Sequence, residues 1–199
     1  MKKRVGVLAL QGDVREHCRA IQNAGGLESL VRRAEDLAVI DALIIPGGES
    51  TTIGKLLRIF DVLDPLRAAI REGLPVFGTC AGMILLAKNV IDGTQDQETI
   101  GTMDITVRRN AFGRQVDSFE VPLDLSAIGA GSVTGVFIRA PWIESQNSTV
   151  EILASVTSNG QSHVVLARQG RQLAASFHPE IVEGDRYSVH EYFIREVAG

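Results

Sequence analysis

The chain has 199 residues, of which 45% are hydrophobic and 5% aromatic, and its formal net charge is −4. We expect residues 1–199 to form a single domain with an aliphatic core, because this length suits one domain. The acidic balance provides no basic surface, so we expect no nucleic-acid partner. Two cysteines, Cys18 and Cys80, without a spaced His/Cys cluster argue against a disulfide framework and against a zinc site.

The first apolar run, residues 4–10, follows a basic start at Lys2 and Lys3. The run is too short for a signal peptide and is typical of a strand buried on both faces. No apolar run in the sequence reaches the length of a membrane-spanning helix. We therefore expect a cytoplasmic protein with no membrane partner, in a compartment where a thiol stays reduced.

The first ninety residues alternate between strand and helix patterns. The sequence predicts strands over 4–10, 27–32, 41–46 and 75–78, helices over 14–23, 51–60, 63–72 and 81–88, and a helical turn over 34–39. Asp13 is positioned to cap the first helix. Alternation of this kind indicates a doubly wound α/β sheet.

The second half of the chain is rich in β-forming residues. It predicts strands over 100–108, 116–123, 133–140, 150–157, 163–168 and 172–177, and a final helix over 186–198. We expect these strands to add antiparallel or mixed pairs to the parallel sheet.

Residues 75–86 are typical of a nucleophile elbow, in which a strand turns sharply into a helix at a reactive residue. Cys80 lies at the turn between Gly78 and Gly82, which let the chain bend. The N-terminus of a helix favours a thiolate, and the N–H of Ala81 could donate to an oxyanion. The alternative is that Cys80 is a small apolar core residue, as most free cysteines are.

A second stretch, Ser-Phe-His-Pro-Glu at 176–180, supplies the groups that a thiol nucleophile needs. In an extended segment, positions i and i+2 point to the same side. His178 could therefore face Cys80 as a general base, while Glu180 orients its other ring nitrogen.

Three loops lie where ligands bind in such sheets, beyond the carboxyl ends of the strands. They contain Gln11-Gly12, residues 46–50 and Cys80. Two consecutive glycines, Gly47 and Gly48, would let backbone N–H groups approach a ligand. The alternative is a plain strand-to-helix turn, with Ser50 or Thr51 as the helix N-cap.

The pattern Gly-x-Cys-x-Gly at 78–82, followed by His-Pro-Glu at 178–180, resembles the class I (triad-type) glutamine amidotransferases. This resemblance implies a three-layer, doubly wound, flavodoxin-like α/β fold with a mixed, largely parallel central sheet and additional antiparallel strands. It also implies that Cys80 is the nucleophile, His178 the base and Glu180 its partner. The loop 46–50 then matches the oxyanion loop, so Gly48 provides a second N–H beside that of Ala81.

Longer stretches at 8–13, 46–52, 106–119 and 137–141 look like the glutaminase subunits of pyridoxal 5′-phosphate synthases, and this resemblance covers essentially the whole chain. Many other class I members carry Gln where this chain has Met83. The resemblance implies hydrolysis of L-glutamine without a cofactor or metal, and transfer of ammonia to a separate synthase subunit in a large hetero-oligomer. We expect turnover to depend on that partner, because ammonia released without an acceptor is wasted.

The same resemblance implies a glutamine site. Its members are Gly48, Glu49, Ser50, Arg109, Ile138 and Arg139. An Arg fork suits the α-carboxylate of glutamine, and the carboxylate of Glu49 is a candidate acceptor for its α-ammonium. The alternative for each arginine is a solvated surface charge.

Two other functions stay open at this point. One is a glutaminase that serves another synthase, such as the imidazole-glycerol-phosphate type. The other is a non-catalytic flavodoxin-like or stress-response protein whose elbow cysteine senses oxidants or binds a partner. The remaining histidines have no metal-ligand companion at usable spacing. We expect His17 near the surface of the first helix, His190 on the last helix and Cys18 buried in the first helix.

Overall fold

The computed structural model of the chain describes residues 2–112, 118–181 and 187–199. Its strands are β1 Arg4–Leu8, β2 Leu27–Val31, β3 Ala42–Ile45, β4 Val76–Thr79, β5 Ala87–Ile91, β6 Met103–Arg108, β7 Ser118–Asp124, β8 Ser132–Ile138, β9 Trp142–Gln146, β10 Glu151–Ser158, β11 Gln161–Gln169 and β12 Gln172–Ala175. Its α-helices are α1 Val14–Asn23, α2 Ser50–Ile59, α3 Leu63–Arg71, α4 Ala81–Leu86 and α5 Ser188–Tyr192. Short 3-10 helices span Ala34–Val39 and Ser126–Ile128, and a π-helical turn, Phe193–Val197, continues α5.

The strands form one large mixed sheet in the order β2-β1-β3-β4-β12-β11-β9-β6-β5, with β10 paired to β11. From β2 to β12 all neighbours are parallel, whereas β11 and β9 join through antiparallel ladders. Strands β7 and β8 form a separate antiparallel hairpin. This arrangement confirms the predicted α/β class with a mixed, largely parallel sheet and additional antiparallel strands.

Alternating side chains of the parallel strands build a core on each face of the sheet. On β1, Val5 and Val7 pack into the cluster that includes α1 and the C-terminal helical segment. On β3, Leu43 and Ile45 pack into the opposite cluster, with α2, α3 and α4. A strand that is buried on both faces reads as a continuous apolar run, which is why these strands were predictable.

Two elements differ from the predictions. The predicted helix over 81–88 ends at Leu86, and β5 begins at Ala87 and pairs with β6. Strand β9, Trp142–Gln146, was not predicted at all. Both strands carry exposed polar residues, so neither has the apolar run or the strict alternation that identifies a strand.

Three predictions fall partly outside the described residues: the start of the strand at 116, the start of the last helix at 186, and the middle of the stretch 106–119. Within the described ranges, no helix combines the length and the hydropathy that a membrane span requires.

Candidate active site

Cys80 sits at a strained elbow between β4 and α4. Its backbone has φ +47° and ψ −101°, a left-handed conformation that costs energy for a residue with a side chain. Its N–H donates to the Ala175 carbonyl at 2.8 Å, which ties the elbow to β12. The flanking glycines are required by close packing: a Cβ on Gly78 would lie 2.5 Å from the backbone of Gly82, and a Cβ on Gly82 would collide with the Ile45 carbonyl oxygen.

His178 lies near the elbow because β12 runs parallel to β4, with Ala175 opposite Thr79. The residues that follow the two strands therefore emerge at the same edge of the sheet. The His178 N–H donates to the carbonyl of Val136 at 2.9 Å, which anchors the segment to β8. Its ring Nδ1 lies 2.7 Å from Oε1 of Glu180, and both side chains are buried. The structure therefore brings together the three residues that the sequence predicted as a triad.

The electrostatics of the cluster favour a protonated His178. Burial alone lowers the pKa of His178, but hydrogen bonds to Asp13, Cys80 and Glu180 outweigh it and raise that pKa to about 12. Burial raises the pKa of Glu180, and the neighbouring His178 opposes that rise. An imidazolium beside the Cys80 thiol is the partner that stabilises a thiolate.

Asp13 occupies the predicted N-cap position of α1, but its side chain does not cap the helix. Its Oδ2 lies 3.4 Å from Nδ1 of His178. The backbone N–H of Asp13 donates to the Gly47 carbonyl at 3.2 Å, which holds Asp13 at the site. One oxygen or nitrogen each from Asp13, His178 and Glu180 lie within 4.8 Å of one another, close enough for a metal ion, but Glu180 already engages Nδ1.

The loop between β3 and α2 lies directly against the ring of His178. A Cβ on Gly47 would stand 2.5 Å from Cε1 of His178. Gly48 has φ +154°, and a Cβ there would meet the Gln11 side chain at 2.5 Å. The Gln11 side-chain oxygen accepts from the Glu49 N–H at 2.9 Å. The two glycines therefore allow this loop to pack closely against His178 and Gln11, and the predicted approach of its N–H groups to a ligand stays a prediction.

Glu49 is the N-cap of α2, so the prediction of Ser50 or Thr51 in that role is wrong. Its carboxylate accepts from the backbone N–H groups of Thr51 and Thr52 at 3.1 and 2.7 Å. Partial burial raises the pKa of Glu49, but hydrogen bonds from Thr52 and Thr51 outweigh this and lower the pKa to about 2. Both carboxylate oxygens of Glu49 therefore already accept hydrogen bonds from the protein itself.

Arg109 is mostly buried beside this cap. Its Nη2 lies 3.2 Å from Oε1 of Glu49, and its Nη1 donates to Oε1 of Gln97 at 2.9 Å. The Ser50 hydroxyl, itself buried, donates to the same Gln97 oxygen at 3.3 Å. Gln97 was not predicted at this site, because a single Gln in a polar segment has no sequence pattern that would indicate its contacts with Ser50 and Arg109.

The other predicted residues lie around the elbow. The Cys80 thiol donates to the carbonyl of Ile138 at 3.9 Å, at the end of β8. Arg139 follows with φ +43° and an exposed side chain. Ala81 is the first residue of α4, so its N–H belongs to the helix turn whose donors have no partner within the helix.

His17 was predicted near the surface, and that prediction is wrong, because its side chain is fully buried. Its Nδ1 lies 3.0 Å from Nε2 of His190, and its Nε2 lies 3.1 Å from Oγ1 of Thr79 and 3.5 Å from Oε2 of Glu180. A usable signal existed in the sequence. His17, Ala20 and Ile21 have the i, i+3, i+4 spacing of a buried helix face. Cys18, predicted buried, is only half-buried.

Comparison with known proteins gives a consistent result. The model of the SNO glutamine amidotransferase family matches residues 7–199. The pyridoxal 5′-phosphate synthase subunit PdxT of Parafrankia sp. (strain EAN1pec) is 57% identical over 194 residues, which are 98% of this chain and 93% of that protein. The PdxT of Acidothermus cellulolyticus is 54% identical over 99% of this chain and 95% of its own length.

Solved structures agree. A crystal structure of a glutamine amidotransferase superposes with a TM-score of 0.88 at 48% identity, covering 98% of both chains. PurLQS from Thermotoga maritima shares the fold alone, with a TM-score of 0.68 at 16% identity over 98% of both chains.

Proposed function

Since the chain belongs to the SNO glutamine amidotransferase family, we propose that it is the glutaminase subunit of a pyridoxal 5′-phosphate synthase. In this role it hydrolyses L-glutamine to glutamate and ammonia, and the ammonia passes to a synthase subunit in a large hetero-oligomer. The observation that carries the proposal is the contact of 2.7 Å between His178 and Glu180 beside the elbow thiol of Cys80.

The reaction begins with the Cys80 thiolate attacking the side-chain amide carbon of glutamine. The N–H groups of Gly48 and Ala81 hold the oxyanion of the tetrahedral intermediate, a contribution of about 3 kcal/mol per donor in related chemistry. The His178 imidazolium gives its proton to the leaving nitrogen, so the C–N bond breaks and a γ-glutamyl thioester and ammonia form. Glu180 keeps the ring oriented throughout.

The second half regenerates the enzyme. Neutral His178 takes a proton from water, and the resulting hydroxide attacks the thioester carbon. The C–S bond then breaks, glutamate leaves, and the thiolate–imidazolium pair is restored. No cofactor is needed, since Cys80, His178 and water supply every atom and proton that moves.

We assign substrate binding to the residues around the elbow and the loop between β3 and α2. The Arg109 guanidinium provides the fork for the α-carboxylate of glutamine, with Arg139 as a second cation at the opening. Gly48, Ser50 and Ile138 contribute backbone and close packing. Glu49 stands where it can attract the α-ammonium, although its first task is to cap α2.

The test of the chemistry is a mass measurement of the protein quenched in acid during turnover of glutamine, with the synthase subunit present. We expect a γ-glutamyl adduct on Cys80 in wild type and none in Cys80→Ala. Cys18→Ala is the matched control, since Cys18 is on α1 outside the site, and it should form the adduct normally. Wild-type glutamine hydrolysis by Cys80→Ala would refute the mechanism.

The partner is tested separately by adding different synthase subunits. A pyridoxal 5′-phosphate synthase subunit should stimulate glutamine hydrolysis, whereas an imidazole-glycerol-phosphate synthase subunit should not. The opposite pattern would keep the triad and refute the assignment of the partner.

A further inference from the structure

Two fully buried histidines lie behind the proposed triad and are not part of it. His17, on α1, and His190, on α5, have no exposed surface. Nδ1 of His17 and Nε2 of His190 are 3.0 Å apart. On its other side, Nε2 of His17 lies 3.5 Å from Oε2 of Glu180 and 3.1 Å from the Thr79 hydroxyl. The chain of contacts therefore leads from the C-terminal helix to the carboxylate that orients the base.

The second carboxylate oxygen of Glu180 needs a hydrogen-bond donor, and His17 lies where it can provide one. Its Oε1 is engaged by His178, whereas its Oε2 is buried and makes no hydrogen bond within the usual distance among the described residues. His17 Nε2 is the nitrogen that approaches Oε2. At 3.5 Å this contact is long, so a single N–H of His17 would be shared between Oε2 and the Thr79 hydroxyl.

The protonation pattern follows step by step from the carboxylate. A carboxylate only accepts, so Nε2 of His17 must carry the hydrogen that faces it. His17 is neutral, because burial, His190 and His178 all lower its pKa. Its Nδ1 is then an acceptor, and Nε2 of His190 must be the donor to it. Nδ1 of His190 is left without a hydrogen, which agrees with the absence of a hydrogen-bond partner for it among the residues that the structure describes.

The surroundings keep both rings uncharged. His17 faces His190 on α5, Thr79 on β4, and Glu180 and His178 after β12. The Tyr187 ring packs edge-on against His190. Burial lowers the pKa of His190 to about 3. Because both imidazoles are neutral, His190 can donate to His17, and His17 can donate to Glu180. Neither ring adds a positive charge that would compete with His178.

We propose that His17 is a positioning residue for glutamine hydrolysis: its Nε2–H, oriented by His190, holds the second oxygen of Glu180 and thereby fixes Glu180 against His178. This inference rests on the proposed function, because Glu180 must act through His178 for its orientation to matter. His17 itself touches no reacting atom. Its effect should appear in turnover and in the ionisation of the base, with little effect on glutamine binding.

The first test compares three variants in the complex with the synthase subunit. His17→Phe keeps a ring of similar shape and loses the donor, His17→Gln offers an amide N–H in its place, and Ile21→Val removes a methylene group from the same buried helix face. We expect His17→Phe to lower kcat about 10- to 100-fold, the usual worth of a hydrogen bond to a charged group. KM for glutamine should stay within about twofold, since His17 makes no substrate contact.

The pH profile separates positioning from a merely structural role. Without the N–H of His17, Glu180 is no longer held against Nδ1 of His178. The hydrogen bond that stabilises the imidazolium is then weaker, so the pKa of His178 falls. The alkaline limb of kcat/KM should therefore move to lower pH in His17→Phe, return toward wild type in His17→Gln, and stay unchanged in Ile21→Val. Equal losses in His17→Phe and His17→Gln without any movement of that limb would overturn the proposal.

A second measurement needs no variant and covers the case in which His17→Phe does not fold. Nitrogen-15 NMR of the histidine-labelled wild-type protein reports which ring nitrogen carries hydrogen. We expect His17 and His190 to be neutral and protonated at Nε2 throughout the active pH range. A hydrogen on Nδ1 of His17 would overturn the inference.

An activity assay of Cys80→Ala distinguishes the two proposals. If Cys80→Ala stays active, the proposed triad itself fails. If Cys80→Ala is inactive and His17→Phe has normal activity, only the role of His17 is refuted.

Discussion

The backbone of Gly47 lies against the ring of His178, so closely that a methyl group on Gly47 would stand 2.5 Å from Cε1. The same methyl group would lie 3.0 Å from Oδ2 of Asp13, an atom that is itself 3.4 Å from Nδ1 of His178. The loop that precedes α2 and the segment that carries His178 are therefore packed closely against each other. A change in either one is transmitted directly to the other.

Gly47→Ala should displace the base and leave the fold intact. The backbone of Gly47 is outside the left-handed region, so the substitution acts through the contact with His178 and not through strain. A displacement of about 1 Å at a catalytic group can lower turnover about 100-fold. We expect that loss in kcat, measured as glutamate release. The control is Gly93→Ala, whose Cβ would meet the Val90 side chain at 3.3 Å and the Gln97 side chain at an ordinary contact distance of 3.6 Å. Wild-type kcat in Gly47→Ala would contradict this reading.

Gly82→Ala should destabilise the protein, because the added Cβ would meet the backbone carbonyl of Ile45 on β3. Neither backbone can move without disturbing the packing of α4 on the sheet. We expect the free energy of unfolding to fall by about 1–3 kcal/mol, the usual cost of overpacking a core. Urea denaturation measures this, again against Gly93→Ala. A variant as stable as wild type would show that the elbow tolerates a side chain.

Arg109→Lys should weaken glutamine binding. Lysine keeps the charge but loses the fork that pairs with a carboxylate in two parallel hydrogen bonds. We expect KM to rise about tenfold with kcat nearly unchanged, the pattern of an interaction made equally in the ground and transition states. Arg108→Lys is the matched control, since Arg108 pairs with Asp92 and Glu144 away from the site. Equal KM values for the two variants would refute the assignment.

The stability of the protein should depend on the ionisation of Glu49. Its folded pKa of about 2 lies below the ordinary value of 4.5, so its contribution is fully present above pH 4.5 and is lost as pH falls toward 2. Glu49→Gln cannot titrate, and should lose less stability over that window. The contribution is about 1 kcal/mol, as for other helix caps, because the half-exposed carboxylate is screened by solvent. Parallel pH curves for the two proteins, from urea denaturation, would contradict this.

The sequence was informative where a single residue type has a local requirement. Gly78 and Gly82 mark the elbow because only glycine fits there, and His178 and Glu180 share a side because they are two residues apart. The apolar runs of β1 and β3 predicted the parallel sheet for the same kind of reason.

The sequence was uninformative where position depends on distant packing. Asp13 has the position of a helix cap, and only the approach of the loop at Gly47 places it beside His178. The spacing of His17 on α1 indicates burial, but its partner His190 comes from α5, far later in the chain, so no local pattern predicts their contact. Gln97 joins Ser50 to Arg109 from a segment without any pattern. Strands β5 and β9 were missed because their exposed polar residues hide the alternation.

We propose above that Cys80 hydrolyses glutamine on behalf of a pyridoxal 5′-phosphate synthase. The most direct measurement is glutamate release from L-glutamine, by wild type and by Cys80→Ala, with the chain alone and with that synthase subunit added. We expect low release by the chain alone, strong stimulation by the synthase subunit, and no release by Cys80→Ala in either condition. Release by Cys80→Ala at the wild-type rate, or no release by wild type even with the synthase subunit, would contradict the proposal.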